Sequence, residues 1–207
     1  MTDTETDFDA RARTWDVDRS KAARAQRVAD VIAARLPSLS TKAVLEYGCG
    51  TGLLGLALQP LVAHVTLADS SREMLAVAQE KLAASGISNA TTLLLDLAAG
   101  PAPDVQFDLV CTLLTLHHIS DTDGILKSFH RLLAKGGVVC IADLDQEDGS
   151  FHGPGFSGHN GFARAELRAQ LERSGFREVR FETVAEITKT TAAGARVYPV
   201  FLAIADR

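Results

Sequence analysis

The 207-residue sequence predicts an α/β fold, in which a seven-stranded mixed sheet carries helices on both faces. Five short apolar segments alternate with segments of helical periodicity, which is the pattern of a parallel sheet covered on both sides. A glycine-rich stretch follows the first apolar segment. The last two apolar segments have almost nothing helical between them, which indicates a C-terminal antiparallel hairpin at one edge of the sheet.

The N-terminal part of the chain, residues 1–40, is predicted to form a lid and a helix ahead of a single domain over residues 41–207. Residues 1–7 are expected to be frayed. A helix is predicted over about 19–36, because apolar residues recur there at helical spacing. These positions are Val28, Val31, Ile32 and Leu36.

Five strands are predicted where short apolar segments end in polar or glycine-rich residues. They are KAVLEY (42–47), HVTLAD (64–69), TTLLLD (91–96), FDLVCTLL (107–114) and VVCIAD (138–143). The connection AAGPAPDVQ between the third and fourth strands is too short for a full crossover helix. The first strand, by contrast, is followed by the glycine-rich turn and then by the predicted helix LLGLALQ (53–59).

The helix after the second strand has the strongest signals. Ser70 and Glu73 have capping-box spacing, and Gly86 marks the end of the helix. Its predicted buried face consists of Met74, Leu75, Ala78 and Leu82. A later helix over about 122–134 is predicted to bury Ile125, Phe129, Leu132 and Leu133.

The pattern changes after the fifth strand. DLDQEDGSFHGPGFSGHNGF (143–162), here called the acidic loop, is polar and rich in glycine, and a loop of this length in a compact domain is usually functional or disordered. A helix is predicted over 163–175. The hairpin strands are predicted over 176–187 and 196–206.

Composition narrows the partners and the compartment. The net charge of −5 gives no overall attraction to phosphate backbones or anionic lipid, so neither nucleic acid nor a membrane is an expected partner. The three cysteines lie in or beside apolar segments, which favours reduced thiols over disulfides. The acidic, polar N-terminus resembles neither a signal peptide nor an anchor. A cytoplasmic protein is expected, either a monomer or a homodimer.

The stretch VLEYGCGTGLLGL (44–56) admits two interpretations. Counted from Gly50, G-T-G-L-L-G matches the dinucleotide-binding fingerprint, whereas the count from Glu46 gives E-Y-G-C-G-T-G. In an open parallel sheet the first strand-to-helix turn lines the ligand crevice. The glycines at 48, 50 and 52 let a ligand approach the backbone closely. Residues 48–52, here called the glycine loop, are therefore the predicted cofactor site under either count.

The acidic residues at the strand ends favour the second count. A pyrophosphate would be repelled by the carboxylate of Glu46 at the loop entrance, whereas a cofactor with an ammonium group and a sulfonium would be attracted. Asp69 and Asp96 end the second and third strands, where they can hold ribose hydroxyls and an adenine amino group. Gly55 is then predicted to be a helix residue that permits close packing on the sheet.

These motifs together resemble the class I S-adenosylmethionine-dependent methyltransferases of the small-molecule branch. EYGCGTG resembles the first motif of that family, LADSSREML its ribose-binding strand and helix, and LLLDL its adenine-binding segment. FDLVCTLLTLHHISD resembles the fourth motif, and LLAKGGVVCIAD resembles the fifth-strand motif. TLHHI points most closely to ubiquinone- and menaquinone-type methyltransferases. The resemblance covers about 40–205 and implies a Rossmann-like fold, S-adenosylmethionine as the cofactor and a small-molecule methyl acceptor.

The resemblance also implies roles for particular residues. The glycine loop would face the methionine part of the cofactor, Asp69 would hold the ribose, and Asp96 with Leu97 would touch adenine. The implied cofactor-binding set is Glu46, Gly48, Cys49, Gly50, Gly52, Asp69, Ser70, Met74, Asp96, Leu97 and Thr112. FDARARTWD (8–16) resembles N-terminal segments that fold over the cofactor. Arg13 and Trp15 are therefore candidate lid residues, with anchoring of the first helix as the alternative.

Catalysis of methyl transfer depends largely on alignment and desolvation, so no universal catalytic residue is expected. A base with a pKa near neutrality would help if the acceptor is a phenol, a thiol or a carbon acid. His117 and His118 follow the fourth strand at the crevice rim, and His118 is the candidate base. Asp145 and His152 of the acidic loop are further candidate catalytic residues.

The acidic loop leaves three roles open. Asp143, Asp145, Glu147 and Asp148 precede His152 and His159, but the spacing does not fit an EF-hand, because position six lacks glycine and position twelve is Pro154. The loop could be solvated, could recognise a cationic or hydroxylated acceptor, or could bind a divalent metal. Binding of a metal is the least favoured of the three. Phe151, Phe156 and Phe162 could supply an apolar wall or pack as a hinge.

Two absences favour a small acceptor. The fourth motif lacks the Asn/Asp-Pro-Pro-aromatic box of methylases that act on nucleic-acid amino groups, and the chain lacks the paired-glutamate loop of arginine methylases. The acceptor atom, whether O, S, N or C, stays open. The alternatives are an NAD-dependent oxidoreductase that uses Gly50–Gly55, a non-catalytic S-adenosylmethionine-binding protein, and an aminopropyl transferase.

Overall fold

A computed structural model describes residues 8–191 and 194–207, so the predicted fraying of residues 1–7 lies outside the described residues. The described chain contains seven strands in one sheet. They are β1 (Ala43–Tyr47), β2 (His64–Asp69), β3 (Ala90–Leu94), β4 (Phe107–Leu113), β5 (Leu133–Leu144), β6 (Arg177–Thr191) and β7 (Gly194–Asp206). Their positions confirm the predicted strands, with β5 and the two hairpin strands longer than expected.

The order of the strands is β3-β2-β1-β4-β5-β7-β6. The strands β1 to β5 run parallel to one another, whereas β7 runs antiparallel to both β5 and β6. This confirms the seven-stranded mixed sheet with a C-terminal antiparallel hairpin. The strand order reverses between β1 and β4, and ligands of open α/β sheets bind in the crevice at such a point.

Five α-helices accompany the sheet in the described residues. They are α1 (Arg19–Arg35), α2 (Leu53–Leu58), α3 (Arg72–Ala84), α4 (Thr122–Leu132) and α5 (Arg164–Arg173). The buried residues of α1, α2 and α3 join one apolar cluster with side chains such as Val44 and Leu67. Those of α4 and α5 join another cluster with Leu45 and Val110. Helices therefore cover both faces, as predicted.

The start of α3 corrects one prediction. The N-cap is Ser71, whose hydroxyl accepts a hydrogen bond of 3.1 Å from the backbone N–H of Met74, whereas Ser70 is exposed. The predicted capping box of Ser70 and Glu73 is wrong by one residue. The cause of the shift is Asp69, whose carboxylate accepts a hydrogen bond of 2.9 Å from the Ser71 N–H. This contact forms a turn, so the helix begins one residue later than predicted. The predicted buried face of α3 is confirmed.

Three further features surround the crevice. Residues 8–17, here called the N-terminal segment, end in a 3₁₀-helix over Ala12–Val17. A second 3₁₀-helix, Leu116–His118, follows β4. The acidic loop leaves the sheet after β5 and returns through a single bridge between Asp145 and Phe162.

The three cysteines are buried and free, in agreement with the prediction of reduced thiols. Among the residues the structure describes, no helix has both the length and the apolar character needed to cross a membrane.

Candidate active site

The glycine loop turns sharply because three alternate residues adopt left-handed backbone conformations. The φ angles are +67° at Gly48, +53° at Gly50 and +82° at Gly52. A Cβ atom placed on Gly48 would lie 2.1 Å from Cγ2 of Thr115. The Thr115 hydroxyl also donates a hydrogen bond of 3.1 Å to the Gly48 carbonyl. This contact ties the glycine loop to the turn after β4.

Glu46 lies beneath the glycine loop rather than at its open side. Its side chain is 2% exposed, and Oε2 accepts a hydrogen bond of 2.7 Å from the backbone N–H of Gly55. Burial, with the nearby Asp69 carboxylate adding to it, raises the pKa of Glu46 to about 8. The structure therefore gives this acid a role in holding the first turn of α2, which the sequence did not predict.

Gly55 packs closely against the sheet, a role that both counts of the glycine motif allow. A Cβ atom there would lie 2.3 Å from Cδ2 of Leu67 and 2.7 Å from Oε2 of Glu46, so only glycine fits against the sheet. This confirms the packing role predicted for Gly55. Its N–H donates to Glu46, so the acid of the first motif contacts α2 directly.

Asp69 sits at the carboxyl end of β2, as predicted. Its Oδ2 accepts a hydrogen bond of 2.7 Å from the Gly50 N–H, and its Oδ1 accepts one of 2.9 Å from the Ser71 N–H. Burial raises the pKa of this carboxyl. Asp69 thus joins the glycine loop to the N-terminus of α3 and presents a carboxylate to the crevice from the neighbouring strand.

The segment after β3 is fixed by Tyr47, a residue that the sequence analysis missed. The Tyr47 hydroxyl accepts a hydrogen bond of 3.1 Å from the Leu97 N–H. Oδ1 of Asp96 accepts a hydrogen bond of 2.8 Å from the Ala98 N–H, which forms a tight turn. Burial raises the pKa of Tyr47 to about 12, so the hydroxyl stays protonated. Asp96 and Leu97 therefore lie at the sheet edge expected for an adenine site.

The N-terminal segment packs over the glycine loop. Thr51 donates a hydrogen bond of 2.6 Å to Asp16, which also forms an ion pair with Lys81. Asp9 accepts a hydrogen bond from the Ser71 hydroxyl. Asp9 and Asp16 escaped the sequence analysis, because their partners come from other parts of the chain.

The two candidate lid residues differ in their surroundings. A Cβ atom placed on Gly50 would have Nε1 of Trp15 at 3.8 Å and Sδ of Met74 at 3.9 Å. Trp15 and Met74 therefore flank the same glycine from two sides. Arg13, by contrast, points to α3 and forms an exposed ion pair of 2.6 Å with Glu80.

A cluster of three histidines lies beside the glycine loop, across Thr115. The histidine cluster consists of His117, His118 and His152, whose ring centroids are 4.1 Å (117–118), 5.1 Å (117–152) and 5.3 Å (118–152) apart. His117 Nδ1 lies 2.6 Å from Oδ1 of Asp143, and both side chains are buried. Asp143 also accepts a hydrogen bond of 3.2 Å from the His117 backbone N–H. The end of β5 therefore orients His117.

The two other rings of the cluster are neutral near pH 7. Burial, followed by the neighbouring His117 and His152, lowers the pKa of His118 to about 3. Burial and His117 likewise lower the pKa of His152 to about 4. Both rings therefore accept hydrogen bonds, and neither has the near-neutral pKa expected for the candidate base.

The carboxylates of the acidic loop bind the protein's own groups. Both oxygens of Asp145 accept hydrogen bonds of 2.7 Å from Arg164, so we leave Asp145 out of the catalytic proposal. Asp148 forms an ion pair with Arg196. Glu147 accepts a hydrogen bond of 3.0 Å from a backbone N–H. This geometry disfavours the interpretation in which these acids hold a cationic acceptor.

The aromatic residues of the loop divide into two groups. Phe156 stacks on His152 with ring centroids 3.8 Å apart, and Phe151 lies 4.9 Å from the same ring. A cleft of about 700 Å³ extends from Phe151 and His152 toward the tip of the β6–β7 hairpin. Phe162 instead packs in the core, and His159 contacts the Ile119 carbonyl at 3.0 Å.

Two predicted cofactor residues occupy buried positions near the crevice. Thr112 lies near the end of β4, and its hydroxyl is buried without a partner in the described part of the chain. Cys49 is buried within the glycine loop, where its thiol contacts the Gly50 carbonyl at 3.4 Å. Burial raises the pKa of Cys49, so the thiol is unreactive.

Comparison with known proteins agrees with this site. A family model described as a methyltransferase domain matches residues 44–137, from β1 through the glycine loop into β5. A malonyl-[acyl-carrier protein] O-methyltransferase of Pseudescherichia vulneris is 33% identical over 137 residues, which is 66% of this chain and 51% of that protein. Residues 44–137 thus match a methyltransferase domain, and this match supports the resemblance to class I S-adenosylmethionine-dependent methyltransferases.

A ubiquinone biosynthesis O-methyltransferase of Pseudomonas syringae pv. tomato is 34% identical to this chain over 110 residues, covering 53% of this chain and 47% of that protein. The chain thus spans about half the length of the curated relatives it matches. The fold is shared with the DhpI–SAH complex, at a TM-score of 0.73 and 24% identity over 98% of this chain and 94% of that one. YcgJ of Bacillus subtilis has a TM-score of 0.71 at 16% identity, covering 87% of this chain and 97% of that one.

The residues present fit the cofactor of this family, S-adenosylmethionine. The bare backbone of Gly50 lies next to the side chains of Trp15 and Met74. Asp69 offers a carboxylate beside it at the end of β2, where a ribose diol is held in folds of this type. The site thus offers the carboxylate of Asp69, the backbone of the glycine loop, and the side chains of Trp15 and Met74. These groups suit a nucleoside that carries a positively charged sulfur.

Proposed function

We propose that the protein transfers a methyl group from S-adenosylmethionine to a small-molecule acceptor. The observation that carries the proposal is the position of Thr115. Its hydroxyl binds the Gly48 carbonyl, and the histidine cluster begins two residues further along the chain. The cofactor loop and a pocket for the acceptor therefore meet at one residue, which is the arrangement that an in-line displacement requires.

The cofactor would be held by three elements of the crevice. The glycine loop would accommodate the methionine part, Asp69 would bind the ribose hydroxyls, and Asp96 with Leu97 would line the adenine. The N-terminal segment would close over it, with Trp15 and Met74 on either side. When bound, the cofactor supplies an activated methyl group on a positively charged sulfur.

The acceptor would lie against the histidine cluster and the ring of Phe156. Imidazole nitrogens of His118 and His152 can accept a hydrogen bond from a hydroxyl or amine and so orient its lone pair toward the glycine loop. Phe8 packs against His118 and Phe156 against His152, so apolar rings would shield part of this side of the crevice from water. Orientation and exclusion of water are the contributions we assign to these residues.

The class of acceptor follows from charge and from the motif. The net charge of −5 and the sequence TLLTLHH after β4 favour a small molecule over nucleic acid. O-methyl acceptors have support from the two relatives named above, whose names specify O-methyl transfer. Three buried free thiols favour a reducing compartment such as the cytoplasm.

Calorimetry with S-adenosylhomocysteine and with NAD tests the proposal. We expect S-adenosylhomocysteine to bind at one site and NAD to give no heat. Asp69→Ala should weaken the binding at least tenfold, whereas Glu182→Ala, far from the crevice at the edge strand β6, should leave it unchanged. Binding of NAD alone would favour the oxidoreductase instead.

Transfer itself is tested by mass spectrometry. The protein is incubated with S-adenosylmethionine and a panel of small phenols, carboxylic acids, thiols and amines, and we expect an acceptor that gains one methyl group as S-adenosylhomocysteine forms. Binding without turnover across the panel would support the non-catalytic alternative.

A further inference from the structure

The histidine cluster brings three nitrogen donors together. One ring nitrogen from each of His117, His118 and His152 lies within 4.8 Å of the other two. Among the residues that the structure describes, these three form the group of His, Cys, Asp or Glu side chains whose ligand atoms lie close enough together to hold one metal ion. His117 and His118 lie on one 3₁₀-turn after β4, and His152 comes from the acidic loop, so the chain brings the donors together from two distant segments.

Two of these nitrogens are buried without a partner. Nε2 of His117 and Nδ1 of His118 have no hydrogen-bond donor or acceptor in the described part of the chain. His117 is 2% exposed, so water does not compensate for the missing partner. A buried polar atom without a partner is unfavourable, so these two nitrogens point to a missing ligand.

Asp143 sets the state of the first donor. Its carboxylate lies 2.6 Å from Nδ1 of His117, which makes that nitrogen the N–H donor and leaves the lone pair on Nε2. A histidine that donates one N–H to a carboxylate and offers the other nitrogen outward is the common arrangement in protein metal sites. Asp143 also accepts a hydrogen bond of 2.7 Å from the Leu144 N–H, so its orientation is fixed.

The surroundings select the type of ion. Phe8 lies 5.2 Å from His118, and Phe156 lies 3.8 Å from His152, so the walls are apolar. The three donors are imidazoles, and the nearest carboxylate, Asp143, is already bonded to His117. Imidazole donors suit zinc, copper, cobalt or nickel, whereas magnesium and calcium need oxygen ligands.

We propose that His117, His118 and His152 form a binding site for one divalent transition-metal ion such as Zn²⁺, with Asp143 as the residue that orients His117. Zinc–nitrogen bonds of about 2.0–2.1 Å place tetrahedral ligands about 3.3 Å apart, so the rings must move closer when the ion binds. His152 has room for this movement, because its side chain is exposed. Three protein ligands leave a fourth position for an outside molecule.

The ion's use in catalysis rests on the proposed function, whereas its binding does not. If the protein is a methyltransferase, the fourth position would take an oxygen of the acceptor and favour its deprotonated form. His118 and His152 would then hold the acceptor through the ion and not by direct hydrogen bonds. The proton would pass to solvent, and the oxygen lone pair would form the new bond to carbon as the bond from sulfur to that carbon breaks.

The test uses the full chain without an affinity tag, stripped with a chelator and titrated with Co²⁺ as a visible probe and with Zn²⁺ by calorimetry. We expect one equivalent of each ion to bind and the Co²⁺ complex to show the d–d absorption of nitrogen ligands. His152→Gln, a change at an exposed position, should lower Co²⁺ affinity at least tenfold and remove the band. Asp143→Asn should weaken binding by about 10- to 100-fold, and His64→Gln, a remote histidine, serves as the matched control.

Three outcomes would overturn the site: no stoichiometric binding, a Co²⁺ spectrum dominated by thiolate charge transfer, or equal affinity in wild type and His152→Gln. Mg²⁺ at the same concentration should give no heat. Binding of S-adenosylhomocysteine is measured on the same preparations, so that loss of the metal site and failure of the proposed function are distinguished. Retained cofactor binding in each variant also shows that it has folded.

Discussion

The carboxylate of Glu46 accepts a hydrogen bond of 2.7 Å from the backbone N–H of Gly55, nine residues along the chain. The acid of the first motif therefore sits under the glycine loop and holds α2 against the sheet. Gly55 must be glycine for this contact to exist, because a side chain would collide with Glu46 and Leu67. The two residues that distinguished the competing counts of the motif thus contact each other directly.

At pH 9, above its pKa of about 8, Glu46 is ionised, and removal of its charge should weaken cofactor binding. Glutamine retains a carbonyl oxygen for the Gly55 N–H, so Glu46→Gln changes charge with little change in shape. We expect S-adenosylmethionine affinity to fall about tenfold, equivalent to about 1.4 kcal/mol. S-adenosylhomocysteine, which lacks the sulfonium charge, should lose less. Calorimetry with both ligands measures the difference, and equal losses for the two would show that charge attraction is not the cause.

Glu46 should also make stability depend on pH. Its pKa rises from the ordinary 4.5 to about 8 in the folded protein, so between these values the folded state holds a proton that the unfolded state has released. Stability due to this group is therefore fully present below pH 4.5 and falls as pH rises toward 8, by up to about 1.4 kcal/mol per pH unit.

Urea unfolding of wild type and Glu46→Gln at pH 5.5 and pH 7.5 isolates this effect. The free energy of unfolding of wild type should fall by about 2 kcal/mol relative to the variant between the two conditions. Parallel changes in both proteins would mean that Glu46 titrates outside this window.

The N-terminal segment should control release of the cofactor. Asp16→Ala removes both the hydrogen bond from Thr51 and the ion pair with Lys81, so the segment should open more readily. Trp15 is the single tryptophan of the chain, and its fluorescence reports on the space above Gly50. In stopped-flow mixing we expect S-adenosylhomocysteine to dissociate several-fold faster from the variant. Arg35→Ala, which breaks a distant surface ion pair with Glu182, should leave the rate unchanged.

Gly48→Ala should destabilise the protein more than an ordinary glycine replacement. A left-handed conformation alone costs about 1–2 kcal/mol for alanine, and at Gly48 the new Cβ would also overlap Thr115. Gly86→Ala is the matched control, because φ there is +62° and nothing lies within 4 Å of the added atom. Chemical denaturation should show a larger loss for Gly48→Ala. Equal losses would mean that the Thr115 contact yields at no cost.

The sequence predicted the order and type of every strand, because strands and helices are specified by local periodicity. The positions of Gly48 and Gly50 on the first turn and of Asp69 at the end of β2 were predictable from local sequence, whereas their roles toward a cofactor stay predictions. Pairings across elements were not predictable, since Tyr47–Leu97, Asp16–Thr51 and Asp145–Arg164 depend on tertiary packing. The shift of the α3 cap from Ser70 to Ser71 has a local origin instead, since Asp69 accepts a hydrogen bond from the Ser71 N–H.

The two ends of the acidic loop are joined by an ion pair and by hydrogen bonds. Asp145 is bound to Arg164, and short hydrogen-bonded contacts join Leu144 to Phe162 and Glu147 to Asn160. With its ends fixed in this way, the loop's length can change cheaply, since doubling a loop costs only about 0.6 kcal/mol in closure entropy. The residues around His152 and Phe156 can therefore change together during evolution. Such changes would alter which acceptor the proposed enzyme takes, while the sheet and the glycine loop keep their shape.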